Sequence, residues 1–213
     1  MKKFEGIYRE NIEDFIHKYL TNRPHPLFEE VENFAIKERV PIISPATGEA
    51  IRYIVQKEAP RRILELGTGL GYSILWMLST NLELEIDTIE RNKKCITDAK
   101  IFIDRYKKEN QIINYLNLHI LETIEKENNL YKYDLIFIDC DKICYPQLIL
   151  LLIQKIRKNS LLLFDNVLWH GRLESKFKRP SDLAMQEFWK LVKNAEIKRT
   201  LFPLGDGLLI LHF

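Results

Sequence analysis

Two segments end apolar, β-type runs on oxygen-bearing side chains: Phe137-Ile138-Asp139-Cys140-Asp141-Lys142, after the run Tyr133 to Ile138, and Leu163-Phe164-Asp165-Asn166, after Ser160 to Phe164. If the two runs are neighbouring parallel strands, Asp139, Asp165 and Asn166 stand side by side at the carboxyl edge of a sheet. Open α/β sheets bind their ligands at that edge. Three clustered oxygen donors with no cysteine or histidine partner suit a hard divalent cation, Mg²⁺ or else Ca²⁺ or Mn²⁺. The plainer alternative is that the two aspartates cap following helices and that Lys142 pairs with Asp141 in solvent. Clustered donors on adjacent strands need neutralising, which favours the metal.

Upstream, Ile63-Leu64-Glu65-Leu66-Gly67-Thr68-Gly69-Leu70-Gly71-Tyr72-Ser73 reads as strand, glycine loop and helix start. Glycines there let the backbone turn sharply and come close to a ligand. The dinucleotide fingerprint wants glycine or alanine where Tyr72 stands, which disfavours a nicotinamide oxidoreductase. Ser73, at the helix start, offers a hydroxyl beside free amides that can hold a carboxylate. The next strand ends Asp87-Thr88-Ile89-Glu90, placing Glu90 to take two ribose hydroxyls. Loop and acid in register favour nucleoside binding over a bare turn and a solvent-facing acid.

The elements that must position these residues alternate from residue 61 onward. Strand-like segments fall at 61–66, 84–90, 115–120, 133–139, 160–165, 196–202 and 207–212; helical ones fall at 71–80, 92–108, 144–157 and 181–193. Such alternation predicts an α/β fold, a mostly parallel sheet with helices on both faces. Gly205-Asp206-Gly207 predicts a hairpin that leaves the last strand antiparallel. Ahead of the sheet, residues 8–38 predict two amphipathic helices broken at Asn22-Arg23-Pro24-His25-Pro26. Ser44 caps a third, with Pro45 at its first position, running to about Lys57. The expected organisation is one domain over 1–213, a helical cap (1–58) on a core (59–213).

The 213 residues suffice for a sizeable core, and 46% hydrophobic with 29% charged residues is ordinary for a soluble globular chain. A net charge of +2 gives no support for a large nucleic-acid footprint, although lysines and arginines gather in 91–108 and 172–179. Cys95, Cys140 and Cys144 form no even disulfide framework, which fits a reducing cytoplasm. The polar start Met1-Lys2-Lys3-Phe4-Glu5 lacks an apolar signal core. No stretch is long enough to span a bilayer, so no membrane role is expected. His17, His25, His119 and His212 show no ligand spacing. Trp169 and His170 follow the acidic edge, as acceptor wall or as core.

Taken together, Glu65 to Ser73, Ile89-Glu90-Arg91, Phe137 to Lys142, Asp165-Asn166-Val167-Leu168-Trp169-His170-Gly171 and the closing Pro203 to Gly207 resemble the class I S-adenosylmethionine-dependent, metal-dependent O-methyltransferases. That family includes catechol and caffeoyl-CoA O-methyltransferases and bacterial relatives, and the likeness spans residues 40–213. It implies a seven-stranded Rossmann-like sheet with a reversed last strand. It implies cofactor contacts at Ile43, Glu65, Gly67, Gly71, Ser73, Glu90, Arg91 and Asp139, a metal on Asp139, Asp165 and Asn166, and Lys142 as general base. The family's Gly-Asp-Ala after the third strand is matched here by Leu121-Glu122-Thr123, which puts Glu122 at the adenine in place of the aspartate. Partly buried beside a dication, Lys142 would shed its proton more readily, as a general base must. The expected acceptor is a small hydroxylated molecule of catechol type. One bacterial branch methylates 5-hydroxyuridine at the tRNA wobble position, and Phe15-Ile16, Arg23-Pro24 and Val40-Pro41-Ile42 are similar to it. The family often forms homodimers. A binding protein that senses S-adenosylmethionine without catalysis is the rival from another class, opposed by the intact Lys142.

Overall fold

The computed structural model describes residues 12–174 and 179–213. Its strands are β1 (Arg62–Leu66), β2 (Glu85–Ile89), β3 (Ile112–Leu116), β4 (Leu135–Ile138), β5 (Leu161–Phe164), β6 (Lys198–Phe202) and β7 (Leu208–His212). They form one sheet in the order β3-β2-β1-β4-β5-β7-β6. The first five pair in parallel, and β7 runs antiparallel to both β5 and β6. This is the expected Rossmann-like sheet with a reversed last strand.

Helices α1 (Ile12–Phe15, continuing as a π-helical turn Ile16–Leu20), α2 (Leu27–Glu38) and α3 (Pro45–Glu58) precede the sheet. The first helix was expected from residue 8; residues 8–11 lie outside the described residues, as do the polar start and Lys176 and Lys178 of the basic stretch. Helices α4 (Tyr72–Leu78), α5 (Lys93–Asp104), α6 (Ile120–Lys126), α7 (Tyr145–Lys155) and α8 (Pro180–Asn194) alternate with the strands. Ser44 caps α3 as expected, its hydroxyl accepting from Thr47 N at 3.1 Å.

Alternate strand residues point to opposite faces, and both faces are apolar because helices cover both. Ile63, Ile86, Leu135, Phe137 and Leu163 pack with α2 to α5, whereas Leu64, Leu66, Ile136, Ile138, Leu162 and Phe164 pack with α6 to α8. The connecting helices therefore change faces between the β1–β3 half and the β4–β6 half. The change of direction falls between β1 and β4, the point in such sheets where a crevice opens at the carboxyl ends.

The N-terminal helices are fixed to the core through α4. Phe28, Tyr72 and Trp76, all buried, meet edge to face with centroids 4.9–6.1 Å apart. Gly48 of α3 lies against the Trp76 indole, where a Cβ would come within 2.2 Å of Nε1. A polar link runs beside this contact: Arg23 grips Glu32 with two 3.0 Å hydrogen bonds, and the Tyr72 hydroxyl donates to the same carboxylate at 2.5 Å.

Two local expectations are corrected. The third strand is Ile112–Leu116 rather than 115–120, and residues 120–126 form the unexpected α6. β3 is an edge strand, exposed or half-buried along its whole length, so its pattern carries little burial signal. Helix α5 also stops at Asp104, short of the expected 108, where the chain turns toward β3.

Candidate active site

The expected residues converge on the switch point between β1 and β4. Asp139 N donates to Leu66 O at 3.0 Å, joining the ends of the two strands. Gly67 follows with φ of 109°, and a Cβ there would stand 2.1 Å from the Asp139 carbonyl oxygen. Only glycine fits that approach. Gly71 (φ 73°) begins α4, its missing side chain leaving room for Ile103. A Cβ on Gly69 (φ 50°) would meet the Pro41 carbonyl oxygen at 3.8 Å, and the Gly69 amide meets the Glu90 carboxylate at 3.4 Å. The other Glu90 oxygen accepts from Asn92 N at 2.8 Å, so the acid after β2 ties the glycine loop to the start of α5.

Glu65 is wholly buried, bonded to Ser73 Oγ at 2.5 Å and to Thr88 Oγ1 at 2.6 Å. Thr68 Oγ1 lies 2.6 Å from Thr88 Oγ1 and extends the chain. Burial pushes the Glu65 carboxyl up to about 8, against the two hydroxyl bonds, and the charges of Asp139 and Glu90 push the same way. The Ser73 hydroxyl is thus engaged by Glu65 rather than standing free at the helix start. Thr68 and Thr88 were not anticipated: a β-branched residue in a strand such as Thr88 reads as packing, and Thr68 sits inside a loop whose glycines carry the signal.

On the other side of the switch point, Asp139 Oδ1 pairs with Lys142 Nζ at 2.8 Å. Lys142 is buried in the short 3₁₀ turn Lys142–Cys144, and Asp141 caps that turn through Ile143 N. The lysine's partner is therefore Asp139, not Asp141. Lys142 Nζ also donates to the Tyr145 hydroxyl at 2.9 Å. Asp165, 2% exposed, has its carboxyl pushed up to about 8 by burial first and by Asp139 second, with Lys142 opposing. Its buried Oδ1 has no hydrogen-bond partner. Asn166 follows in the left-handed region at φ 55°.

The loop after β5 holds further left-handed residues, Trp169 (φ 51°) and His170 (φ 53°). For a bulky residue such a conformation persists only when its surroundings enforce it. Asp206 enforces it from the β6–β7 turn: its backbone oxygen accepts from Leu168 N at 2.8 Å and its carboxylate from His170 N at 2.6 Å. The Trp169 indole donates to Asp182 of α8 at 2.6 Å and lies under the Arg172 guanidinium, so it is held rather than free.

Three expected cofactor residues sit differently from the rest. Ile43 is buried in the core beside α3. Arg91 is exposed past β2. Glu122 lies in the first turn of α6, exposed, so the chain directly following β3 is Asn117-Leu118-His119, with His119 at the N-cap of that helix. Asn117 Nδ2 reaches back to the carbonyls of Glu90 and Arg91 at 2.9 and 3.0 Å.

Two buried carboxyls, Glu65 and Asp165, each raised by burial first and by Asp139 after it, with an unpartnered oxygen on Asp165, make this sheet edge suited to cations. Among the described residues no three His, Cys, Asp or Glu side chains cluster as a metal site. The expected donor set has only two carboxylates, with an asparagine amide as the third.

A family model described as O-methyltransferase matches residues 19–212. The chain belongs to the O-methyltransferase family. The enzyme class expected from the sequence, an S-adenosylmethionine-dependent O-methyltransferase, is thereby the class of this chain. A Mycobacterium leprae protein carrying a provisional O-methyltransferase name is 27% identical over 177 residues, 78% of this chain and 75% of that protein. A provisionally named caffeoyl-CoA O-methyltransferase from Staphylococcus aureus has a TM-score of 0.73 at 28% identity, covering 86% of this chain and 90% of that one. An O-methyltransferase from Bacillus cereus, solved with SAH, has a TM-score of 0.78 at 23% identity, covering 95% of this chain and 97% of that chain; it attests the fold.

Proposed function

We propose that this O-methyltransferase methylates a hydroxyl of a small catechol-like acceptor, assisted by a divalent cation on Asp139, Asp165 and Asn166. The observation that carries the reading is the buried Asp165 carboxyl with its unpartnered Oδ1, beside the Asp139–Lys142 pair at the switch point. The residues fit a hard cation: two carboxylates that repel each other and an amide oxygen, all oxygen donors. When bound, such a cation supplies Lewis acidity that makes an acceptor hydroxyl more acidic.

The chain's own residues do the rest. Gly67 and Gly69 bring backbone close enough to hold a nucleoside cofactor, and Glu90 takes the ribose. Glu65, Ser73, Thr88 and Thr68 fix the loop from beneath. Lys142 Nζ, held between Asp139 and Tyr145, would first release one proton to solvent and then, as the neutral amine, receive the acceptor's hydroxyl proton. Methyl transfer from a sulfonium is an in-line displacement, so holding both reactants in line supplies much of the rate.

A second reading, a tRNA wobble hydroxyuridine, rests on Arg172, Lys176, Lys178 and Arg179, four basic residues within eight positions just after the site loop. A polyanionic acceptor would give binding that weakens steeply with salt. A homodimer in a reducing cytoplasm completes the proposal; Cys95, Cys140 and Cys144 are free thiols.

The test is calorimetric titration with S-adenosylhomocysteine, then Mg²⁺, then excess EDTA. Saturable cofactor binding plus a separate, EDTA-reversible Mg²⁺ heat supports the reading. Cofactor binding without any Mg²⁺ heat, and turnover indifferent to EDTA, would refute the metal.

A further inference from the structure

The Tyr145 side chain is buried at the first position of α7, its ring edge-on to Phe164 at 5.3 Å and Phe188 at 5.4 Å. The ring is held by the core, so the hydroxyl is delivered to one fixed point. At that point it accepts from Lys142 Nζ at 2.9 Å and faces the carbonyl oxygens of Ile138 at 3.0 Å and Asp165 at 2.8 Å. A phenol has one proton to donate and lone pairs to accept with. Here it receives the ammonium and directs its proton at the carbonyls where β4 and β5 end.

We propose that the Tyr145 hydroxyl is the positioning residue of this site, fixing the Lys142 amine beside Asp139 at the carboxyl ends of β4 and β5. The proposal rests on the methyl-transfer reading above for its kinetic consequence, but its geometry does not. Lys142 has a long, flexible stem, and its ammonium is a point charge with no preferred direction. Two oxygens at hydrogen-bond distance, Asp139 Oδ1 and Tyr145 Oη, leave it a single free N–H direction. Partners that orient the groups of a site typically matter by tenfold to about a hundredfold in activity or metal affinity.

Tyr145→Phe keeps the ring and removes only the hydroxyl. With S-adenosylmethionine, Mg²⁺ and 3,4-dihydroxybenzoate as probe acceptor, kcat should fall about tenfold to a hundredfold while S-adenosylhomocysteine affinity stays within about twofold. In a Lys142→Ala background the same substitution should lower kcat by less than about threefold, since its effect passes through the lysine. An undiminished loss in that background, or wild-type kcat in Tyr145→Phe, overturns the proposal. If wild type is silent on the probe, the acceptor reading fails, and Tyr145 is judged on the wild-type protein by ¹⁵N-lysine NMR. A slowly exchanging Lys142 ammonium with an Overhauser contact to the Tyr145 hydroxyl proton supports the assignment. A rapidly exchanging ammonium without that contact sinks it, and the same measurement decides the matter if Tyr145→Phe does not fold.

Discussion

Glu65→Gln should make the unliganded protein more stable at neutral pH while leaving it little changed in acid. The Glu65 carboxyl is pushed from its ordinary 4.5 up to about 8 in the folded chain, chiefly by burial. Below about pH 4.5 the carboxyl is protonated in both folded and unfolded chains, and ionisation costs nothing. As pH rises the unfolded chain releases this proton while the folded chain keeps it, so stability drains away until about pH 8 and then levels off. The interval of about 3.5 pH, at about 1.4 kcal/mol per unit, sets a ceiling near 5 kcal/mol. Glutamine has the same shape and cannot ionise, and the Ser73 and Thr88 hydroxyls can rotate to meet its amide. Urea unfolding at pH 5, 6, 7 and 8, without cofactor or metal, reads the difference. Glu65→Gln should gain at least about 2 kcal/mol on wild type between pH 5 and pH 8. Parallel stability curves for the two proteins would refute the buried-carboxyl argument.

The other perturbations are simpler. Gly67→Ala forces a Cβ onto the Asp139 carbonyl at φ 109°, so S-adenosylhomocysteine binding should be lost and urea unfolding should show a loss of about 2–3 kcal/mol. Tyr72→Phe removes the hydroxyl bond to Glu32 and should cost about 1–2 kcal/mol in the same assay, with turnover retained. Asp165→Asn replaces a carboxyl that burial first and Asp139 second push up to about 8 with an amide that has no proton to release; it should raise the unfolding free energy at pH 7 by about 1 kcal/mol and abolish the Mg²⁺ heat, and an unchanged Mg²⁺ heat would clear Asp165 of metal binding. Glu90→Ala frees the Gly69 amide and should weaken S-adenosylhomocysteine about tenfold by calorimetry, equal affinity counting against the ribose contact.

What the sequence made legible were features written in local pattern. Ser44-Pro45 marked the start of α3 because cap and first-turn preferences are local. The glycine loop marked the end of β1 because a left-handed turn is a backbone requirement that residue type reveals. Residues 112–126 were misjudged for the complementary reason. An edge strand buries neither face fully, and a helix of two turns has too few positions to show a period. Lys142 was expected near the metal edge, yet its pairing with Asp139 rather than the adjacent Asp141 depends on how the 3₁₀ turn aims it. Tyr145 carries no local signal that sets it apart from other aromatics at helix starts; only the meeting of β4, β5 and the lysine around its hydroxyl gives it a role.

The electrostatics of the edge argue from a different direction for what occupies it. Asp139 raises both Glu65 and Asp165, and Lys142 lowers Asp165. Acids set this close at the end of a parallel sheet weaken the folded state, and the two apolar faces of the sheet offset that cost. A ligand bearing positive charge at the same edge removes the repulsion, and the stability it restores adds to its affinity, since whatever binds only the folded chain stabilises it. The cofactor's sulfonium and the divalent cation proposed above would both be such ligands. The repulsion at this edge and its attraction for a cation are one quantity, so replacing Asp165 with an amide should weaken both together, stabilising the free protein while flattening its response to Mg²⁺, whereas an amide at Asp139 would leave the buried Lys142 without its ion-pair partner.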